Sequence, residues 1–242
     1  SVINLYDFFK TNKKIKKNNI PVLIMAGGLG LRMGDITNHI PKPLLPLKGK
    51  TIINNIIDNF IKCGFSKFHI SLNYKSELIL AYFNELNLKV DLNFINENKP
   101  LGTAGSLYYL KKYKLENFFV INCDLIINYD YREILKFHNE SKNDVTMVLV
   151  KKTHSLNYGV CQIDSENNII DIVEKPLIDN LINSGLYVFN KKILKLIPKI
   201  KKFDMNELVH EVLKNKMKIK AYRIDEDSWI DLGDYNKFNN YS

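Results

Sequence analysis

Residues 21–34 read Pro21-Val22-Leu23-Ile24-Met25-Ala26-Gly27-Gly28-Leu29-Gly30-Leu31-Arg32-Met33-Gly34, an apolar run that stops in a cluster of glycines. The run Val22–Ala26 predicts a buried strand. A glycine loop directly after a strand lets main-chain N–H groups approach phosphate oxygens, because no Cβ stands in the way. Spacing excludes two phosphate-binding patterns. The dinucleotide fingerprint Gly-x-Gly-x-x-Gly would need a glycine where Met33 stands, and no Gly-Lys-Ser/Thr closes a P-loop. The loop gains its meaning from Arg32 inside it and from Pro41-Lys42-Pro43-Leu44-Leu45-Pro46-Leu47 further on. Prolines fix the backbone on both sides of Lys42, so its ammonium loses little entropy when aimed. A guanidinium fork and an ammonium point charge at one loop make a clamp for a triphosphate.

Outward from this loop, short β-rich runs alternate with helical patterns. Strands are predicted over Val22–Ala26, Phe68–Asn73, Lys89–Ile95, Phe118–Cys123 and Asp144–Val150. Helices are predicted over Ile52–Lys62, Ser76–Asn87, Thr103–Tyr113 and Tyr131–Asn139; in the first of these Ile52, Ile53, Ile56, Ile57, Phe60 and Ile61 recur at helical spacing. Such alternation predicts an α/β fold with a mostly parallel, Rossmann-like central sheet flanked by helices and with ligands outside the carboxyl ends of the strands. After residue 150 the pattern changes. Gly159–Ile163 and Ile169–Val173 flank the polar turn Ser165-Glu166-Asn167-Asn168 and read as a hairpin. Strands at Ser184–Phe189 and Met217–Tyr222 and helices at Asn206–Lys214 and Tyr235–Asn240 follow, so antiparallel additions are expected in the C-terminal half, making the sheet mixed.

The 242 residues are 45% hydrophobic, with 13 Tyr and 13 Phe, enough to bury the core of one α/β domain. We expect that domain over residues 20–242, preceded by a linker or N-terminal arm over residues 1–19 that ends in Lys13-Lys14-Ile15-Lys16-Lys17-Asn18-Asn19. The start at Ser1-Val2 leads us to expect further chain upstream. The net charge of +9 suits a phosphate-rich ligand, but the lysines lie scattered through every segment. No aromatic-interleaved basic helix and no zinc-finger spacing points to nucleic acid. No apolar run is long enough for a membrane span, and no signal peptide is visible, so a soluble cytoplasmic protein is expected. Cys63, Cys123 and Cys161 form no Cys-x-x-Cys pair and are expected as reduced, mostly buried thiols.

Together with these features, five further motifs occur in order: Pro100-Leu101-Gly102-Thr103-Ala104-Gly105, Asn122-Cys123-Asp124, Glu174-Lys175-Pro176, Asn183-Ser184-Gly185-Leu186-Tyr187 and Trp229-Ile230-Asp231-Leu232-Gly233. With the arginine-bearing glycine loop and Pro41-Lys42-Pro43, they resemble the sugar-phosphate nucleotidylyltransferases, which join a nucleoside triphosphate to a sugar 1-phosphate and release pyrophosphate. Within that family the resemblance is to bacterial guanylyltransferases acting on amino-hexose and heptose 1-phosphates, those feeding legionaminic acid synthesis foremost. It implies a nucleotide site at Ala26, Gly27, Gly28, Gly30, Glu97, Leu101, Gly102 and Thr103. It implies a catalytic set of Arg32, Lys42, Asp124 and Lys175, with Arg32 on the leaving pyrophosphate, Lys42 on the α-phosphate and Lys175 on the incoming sugar phosphate. Glu174 and Asn183 would bind sugar hydroxyls, and Gly185 would leave room for the hexose. An upstream pair of small regulatory modules is also implied.

Asp124 follows the strand Phe118–Cys123 at the end where an α/β sheet places ligands, and Asp231 lies in the tight segment Trp229–Gly233. A pair of carboxylates can hold Mg²⁺ together with nucleotide phosphates. The plainer reading makes Asp124 a strand-end cap and Asp231 the head of an Asx turn. Glu97 precedes Gly102 at the spacing where thymidylyltransferases of this family carry a glutamine that reads thymine. A carboxylate there accepts from guanine N1–H and its 2-amino group but meets only lone pairs on uracil and thymine, which favours GTP; its plainer reading is an exposed loop residue in Asn96-Glu97-Asn98-Lys99. Glucosamine 1-phosphate is the favoured acceptor, with heptose or mannose 1-phosphate, or another base, as alternatives. The rival of a different class is a catalytically silent sensor of nucleotide sugars. His39, His69, His138, His154 and His210 sit in unrelated contexts and are read as structural or surface residues.

Overall fold

The computed structural model describes residues 17–86 and 88–233, with the side chains of residues 31–34 outside that description. In chain order the elements are β1 (Val22–Met25), β2 (Pro46–Leu47), β3 (Lys50–Thr51), α1 (Ile52–Lys62), β4 (Lys67–Leu72), α2 (Ser76–Glu85), β5 (Asp91–Asn96), α3 (Gly102–Gly105), β6 (Asn117–Asn122) and β7 (Leu125–Ile127). They continue with α4 (Tyr131–Glu140), β8 (Val145–Ser155), β9 (Gly159–Ile163), β10 (Ile169–Glu174), β11 (Leu177–Asn190), α5 (Met205–Lys214), β12 (Ile219–Ile224) and β13 (Trp229–Asp231). Seven strands form the central sheet in the order β12-β8-β11-β6-β1-β4-β5. Pairing is parallel for β5/β4, β4/β1, β1/β6 and β8/β12, while β11 is antiparallel to both β6 and β8. The expected mixed, mostly parallel sheet is present, with β11 alone running against the other six strands.

Alternation along the strands builds the two faces. Val22 and Ile24 of β1, with Phe119 and Ile121 of β6, join the core under α1, whereas Leu23, Phe118 and Val120 join the opposite core with Leu107, Ile193, Leu208 and Val212. Helix α1 forms where the periodicity places it, starting from Thr51, whose hydroxyl accepts from Asn54 N at 3.3 Å. Its Phe60 ring stacks on Tyr131 with centroids 3.9 Å apart, and the Tyr131 hydroxyl donates to Ile127 O at 2.8 Å.

Several expectations need correction. The helix expected over Thr103–Tyr113 is one α turn, Gly102–Gly105, continued as a 3₁₀ segment, Ser106–Lys112. Ser184–Phe189 is only the inner half of β11, a 14-residue strand whose outer half pairs with the end of β8. Strands β5 and β12 begin two residues later than the apolar pattern suggests, because alternation marks burial rather than pairing. The small pair β7/β13 was not anticipated from sequence. Asn87, expected as the end of α2, lies outside the described residues, as do the expected terminal helix Tyr235–Asn240 and residues 1–16 of the expected arm. Of that arm, Asn18 is tied to the body, donating its N–H to Gly64 O at 2.8 Å.

The lysines also need a second reading. Residues 191–203 lie antiparallel to residues 101–116: Lys191 N donates to Glu116 O at 2.7 Å, Lys111 Nζ to Ile197 O at 2.9 Å, and Phe203 N to Leu101 O at 2.9 Å. Lysines scattered along the chain thus share one exposed strip, nine of them against a single acidic residue, Glu116, over residues 108–116 and 191–202.

Candidate active site

The parallel strands β1, β4, β5 and β6 all release their chains at one end of the sheet, and the loops there enclose a cleft of about 520 Å³. Ala26, Gly27, Gly28 and Gly30 follow β1; Ser71 is the last residue but one of β4; Glu97, Leu101, Gly102 and Thr103 follow β5; Asp124 follows β6, and Lys42 enters from the proline segment. Every residue assigned from sequence to the nucleotide is therefore gathered at this cleft. Gly30 has φ 68° and caps a 3₁₀ segment over Leu31–Asn38. Arg32 belongs to that segment, and its side chain lies outside the described residues.

Lys42 is only 8% exposed, held by Pro41 in extended conformation and by a 3₁₀ turn over Lys42–Leu44, as the flanking prolines require. Its ammonium stands 3.7 Å from Asp124 Oδ2, so the two groups expected to handle phosphate and metal face each other. Glu97 is buried, which overturns the exposed-loop alternative. Ser71 donates its hydroxyl to Glu97 Oε1, Leu101 N donates to Oε2 at 3.1 Å, and Asn73 Nδ2 donates to the Glu97 carbonyl at 2.7 Å. Burial raises the Glu97 pKa, and the bonds from Ser71 and Leu101 pull it back. Ser71 carried no signal in the sequence, since a serine inside an apolar strand looks like any other.

The loop after β5 is braced from far along the chain. Asp204 Oδ1 accepts from Thr103 N at 3.0 Å, and the Thr103 hydroxyl accepts from Met205 N at 2.8 Å. Gly102 adopts φ 77°, and a Cβ there would stand 2.5 Å from Asp204 Oδ1 and 2.8 Å from Phe203 O, so only glycine fits. Asp204 also caps α5 in a capping box with Glu207. Its place beside the loop was invisible in sequence because it lies 101 residues from Thr103.

A second cavity of about 240 Å³ adjoins the first and is lined by Asn122, Asp124, Asn183, Gly185, Trp229 and Asp231 among others. Strand β13 pairs with β7, and Leu232 N donates to Asp124 O at 2.8 Å, which brings Asp231 and Asp124 to one cavity. Asp231 also heads the Asx turn anticipated as its plainer role, accepting from Gly233 N at 2.8 Å. Among the described residues no cluster of three or more His, Cys, Asp or Glu side chains could hold a metal alone. Asn183 accepts from Gly185 N at 3.1 Å and donates to the Tyr187 hydroxyl. Gly185 lines this cavity, and at φ 83° a Cβ on it would collide with the Leu125 side chain and crowd Asn122, so packing too requires glycine there.

Glu174 and Lys175 are not brought to either cavity. Both are exposed on the hairpin β9/β10, with Lys175 at φ 47° and its N–H donating to Tyr158 O at 3.2 Å. The cysteine expectation divides, with Cys63 and Cys123 buried and Cys161 exposed.

Comparison with known proteins agrees with this geometry. The chain matches the Nucleotidyl transferase family over residues 21–242. The chain belongs to that family. Among curated relatives of the family, mannose-1-phosphate guanyltransferase of Debaryomyces hansenii is 31% identical over 225 residues, covering 89% of this chain and 62% of that protein. The bifunctional protein GlmU of Methanocaldococcus jannaschii is 33% identical over 218 residues, 87% of this chain and 50% of that protein. The chain thus spans 50% to 62% of the length of the curated relatives it matches. Among solved structures in the family, HddC from Yersinia pseudotuberculosis superposes with a TM-score of 0.73 at 29% identity, covering 92% of this chain and 97% of that one. The same protein complexed with GMP-PN gives 0.71 at 28% identity. No helix of the described residues is long and apolar enough to cross a membrane.

Proposed function

We propose that the protein transfers a nucleoside monophosphate from a triphosphate, GTP before the others, to a sugar 1-phosphate, forming a nucleotide sugar and pyrophosphate. The observation that carries this reading is the cleft itself: the glycine loop, Lys42, Asp124 and a buried carboxylate, Glu97, converge at the carboxyl ends of four parallel strands. A sugar phosphate oxygen attacks the α-phosphorus in line; the new P–O bond forms as the bond to the β-phosphate breaks and pyrophosphate departs. No general base is needed, because the attacking phosphate is already ionised at neutral pH. Main-chain groups of Ala26 to Gly30 hold phosphate oxygens, Lys42 neutralises charge on the α-phosphate, and Arg32 neutralises the leaving pyrophosphate. Lys175 and Glu174 receive the sugar phosphate and sugar hydroxyls after the hairpin that carries them approaches the cleft, and Asn183 meets the sugar from the smaller cavity.

Asp124 and Asp231 are hard oxygen donors lining one cavity, and with nucleotide phosphates and water they suit Mg²⁺, which prefers one or two carboxylates to a complete protein cage. Bound there, Mg²⁺ would supply charge neutralisation to the phosphates. For the base, each Glu97 oxygen uses one lone pair on Ser71 or Leu101, which leaves acceptor capacity for guanine N1–H and the 2-amino group. The guanine nucleotide in the complexed Yersinia relative and the guanylyl activity in the names of several curated relatives support the same base. Glucosamine 1-phosphate, as a step toward legionaminic acid, is the acceptor that the motif resemblance favours; mannose 1-phosphate is its competitor.

The test is pyrophosphate release with Mg²⁺, five nucleoside triphosphates and glucosamine, mannose, glucose and heptose 1-phosphates. Turnover confined to GTP is expected, and Glu97→Gln should lower the preference for GTP over UTP by about tenfold to a hundredfold. Unchanged preference in that variant sinks the base assignment, and nucleotide binding without any pyrophosphate release sinks the catalytic one.

A further inference from the structure

The larger and smaller cavities share a wall, and among the described residues only Asn122 and Asp124 line both. Asn122 is the last residue of β6 and stands opposite Met25, the last of β1, in parallel register. It therefore sits where the chain of β1 leaves the sheet for the glycine loop. On its other side lies Gly185, where a Cβ would stand 3.0 Å from Asn122 Nδ2. Glycine at that position lets the Asn122 amide lie against the main chain of β11, at the wall of the smaller cavity.

The other polar side chains of the smaller cavity are already engaged. Asp124 faces Lys42 at 3.7 Å, and Asp231 accepts from Gly233 N at 2.8 Å. Ser184 Oγ accepts from Leu186 N at 3.2 Å, and the Trp229 indole N–H donates to Ser184 O at 3.1 Å. Asn183 spends its Oδ1 on Gly185 N and an amide hydrogen on the Tyr187 hydroxyl. Neither half of the half-buried Asn122 amide bonds another described residue. That amide offers two donors and an acceptor, so only a ligand that both gives and takes hydrogen bonds satisfies it. A phosphate only accepts and would leave Oδ1 unmet. Adjacent hydroxyls of a sugar ring meet both halves, one accepting from Nδ2 and its neighbour donating to Oδ1. Given the transfer reaction proposed above, on which this rests, we infer that Asn122 holds adjacent ring hydroxyls of the acceptor sugar 1-phosphate and so helps decide which sugar is accepted.

Steady-state pyrophosphate release tests this with whichever of glucosamine, mannose, glucose or heptose 1-phosphate turns over fastest, and with the monodeoxy analogues of that sugar. Asn122→Ala should lower kcat/KM for the sugar 1-phosphate by about tenfold to a hundredfold and leave the KM for the nucleoside triphosphate unchanged. Asn122→Leu fills the space without polar atoms and should lose as much, which separates lost hydrogen bonds from lost packing. In the wild type, one or two of the deoxy analogues should lose a similar factor. On those analogues Asn122→Ala and wild type should converge, as a direct contact requires. Four results overturn the assignment: an unchanged acceptor kcat/KM in Asn122→Ala, recovery in Asn122→Leu, an equal loss on the parent sugar and every analogue, or a rise in nucleotide KM of the same size. A wild type that releases no pyrophosphate with any of these acceptors rejects the transfer reaction and this contact with it, whereas turnover that ignores the substitution rejects the role of Asn122 alone.

Discussion

The floor of the cleft and the outer hairpin are both β structure built from Ile, Val and Leu, yet they obey opposite rules. Around the cleft, Val22, Ile24, Ile70 and Ile121 are fully buried, and the one buried carboxylate there among the described residues, Glu97, is bonded by Ser71 and Leu101. On the hairpin, Ile169, Ile170 and Ile172 face solvent. Equal hydrophobicity thus gives a completed surface in one region and an unfinished one in the other, because burial depends on what stands opposite a strand. The cleft is lined by residues already held in place, whereas Glu174 and Lys175 hang on the unfinished side.

Substitutions should separate the two regions by size of effect. Gly185→Ala forces a Cβ against Leu125 at a positive φ and should cost about 2–3 kcal/mol, read by denaturant unfolding; a neutral result would mean the floor repacks as freely as the hairpin. Asp204→Ala removes the brace on Thr103 and the cap of α5, which should cost about 1 kcal/mol and raise the KM for nucleotide several-fold. An unaltered KM would show that the loop holds itself.

The body should also carry the acid sensitivity. Burial lowers the His138 pKa to about 4, opposed by Asp144, and burial lowers that of His69 in the same direction. A histidine whose pKa is lowered by folding gives stability that is present above its unfolded value of about 6.5 and is lost as pH falls toward 4. Melting temperature should therefore decline across that window, less steeply in His138→Gln. The smallest effect is expected on the hairpin, where Ile170→Ser should change chain stability by under about 0.5 kcal/mol.

Local chemistry was readable wherever it was contiguous. The glycine loop with Lys42 between its prolines and the length of α1 stand where composition and spacing put them, and so does the hairpin expected at Gly159–Ile163 and Ile169–Val173, whose second strand runs one residue further, to Glu174. The pair β7/β13 was hidden, since Leu125–Ile127 and Trp229–Asp231 are three residues each and too short for a period. The bonds from Ser71 to Glu97 and from Thr103 to Asp204 were hidden for the same reason that any long-range contact is, namely that neither partner has a distinctive neighbour in sequence.

The sequence by itself determined the fold class, the glycine loop and a set of residues that gather at one cleft, because strand alternation and backbone freedom are properties of adjacent residues. Only the tertiary structure decided that Asp204 braces the loop at Thr103, why Gly102 and Gly185 must be glycine, and where the charge collects. Nine lysines that look dispersed become one strip when residues 191–203 lie against residues 101–116, and apolar residues that read as core become the outer hairpin. Each of these depends on packing between distant segments, which is the one thing local spacing does not encode.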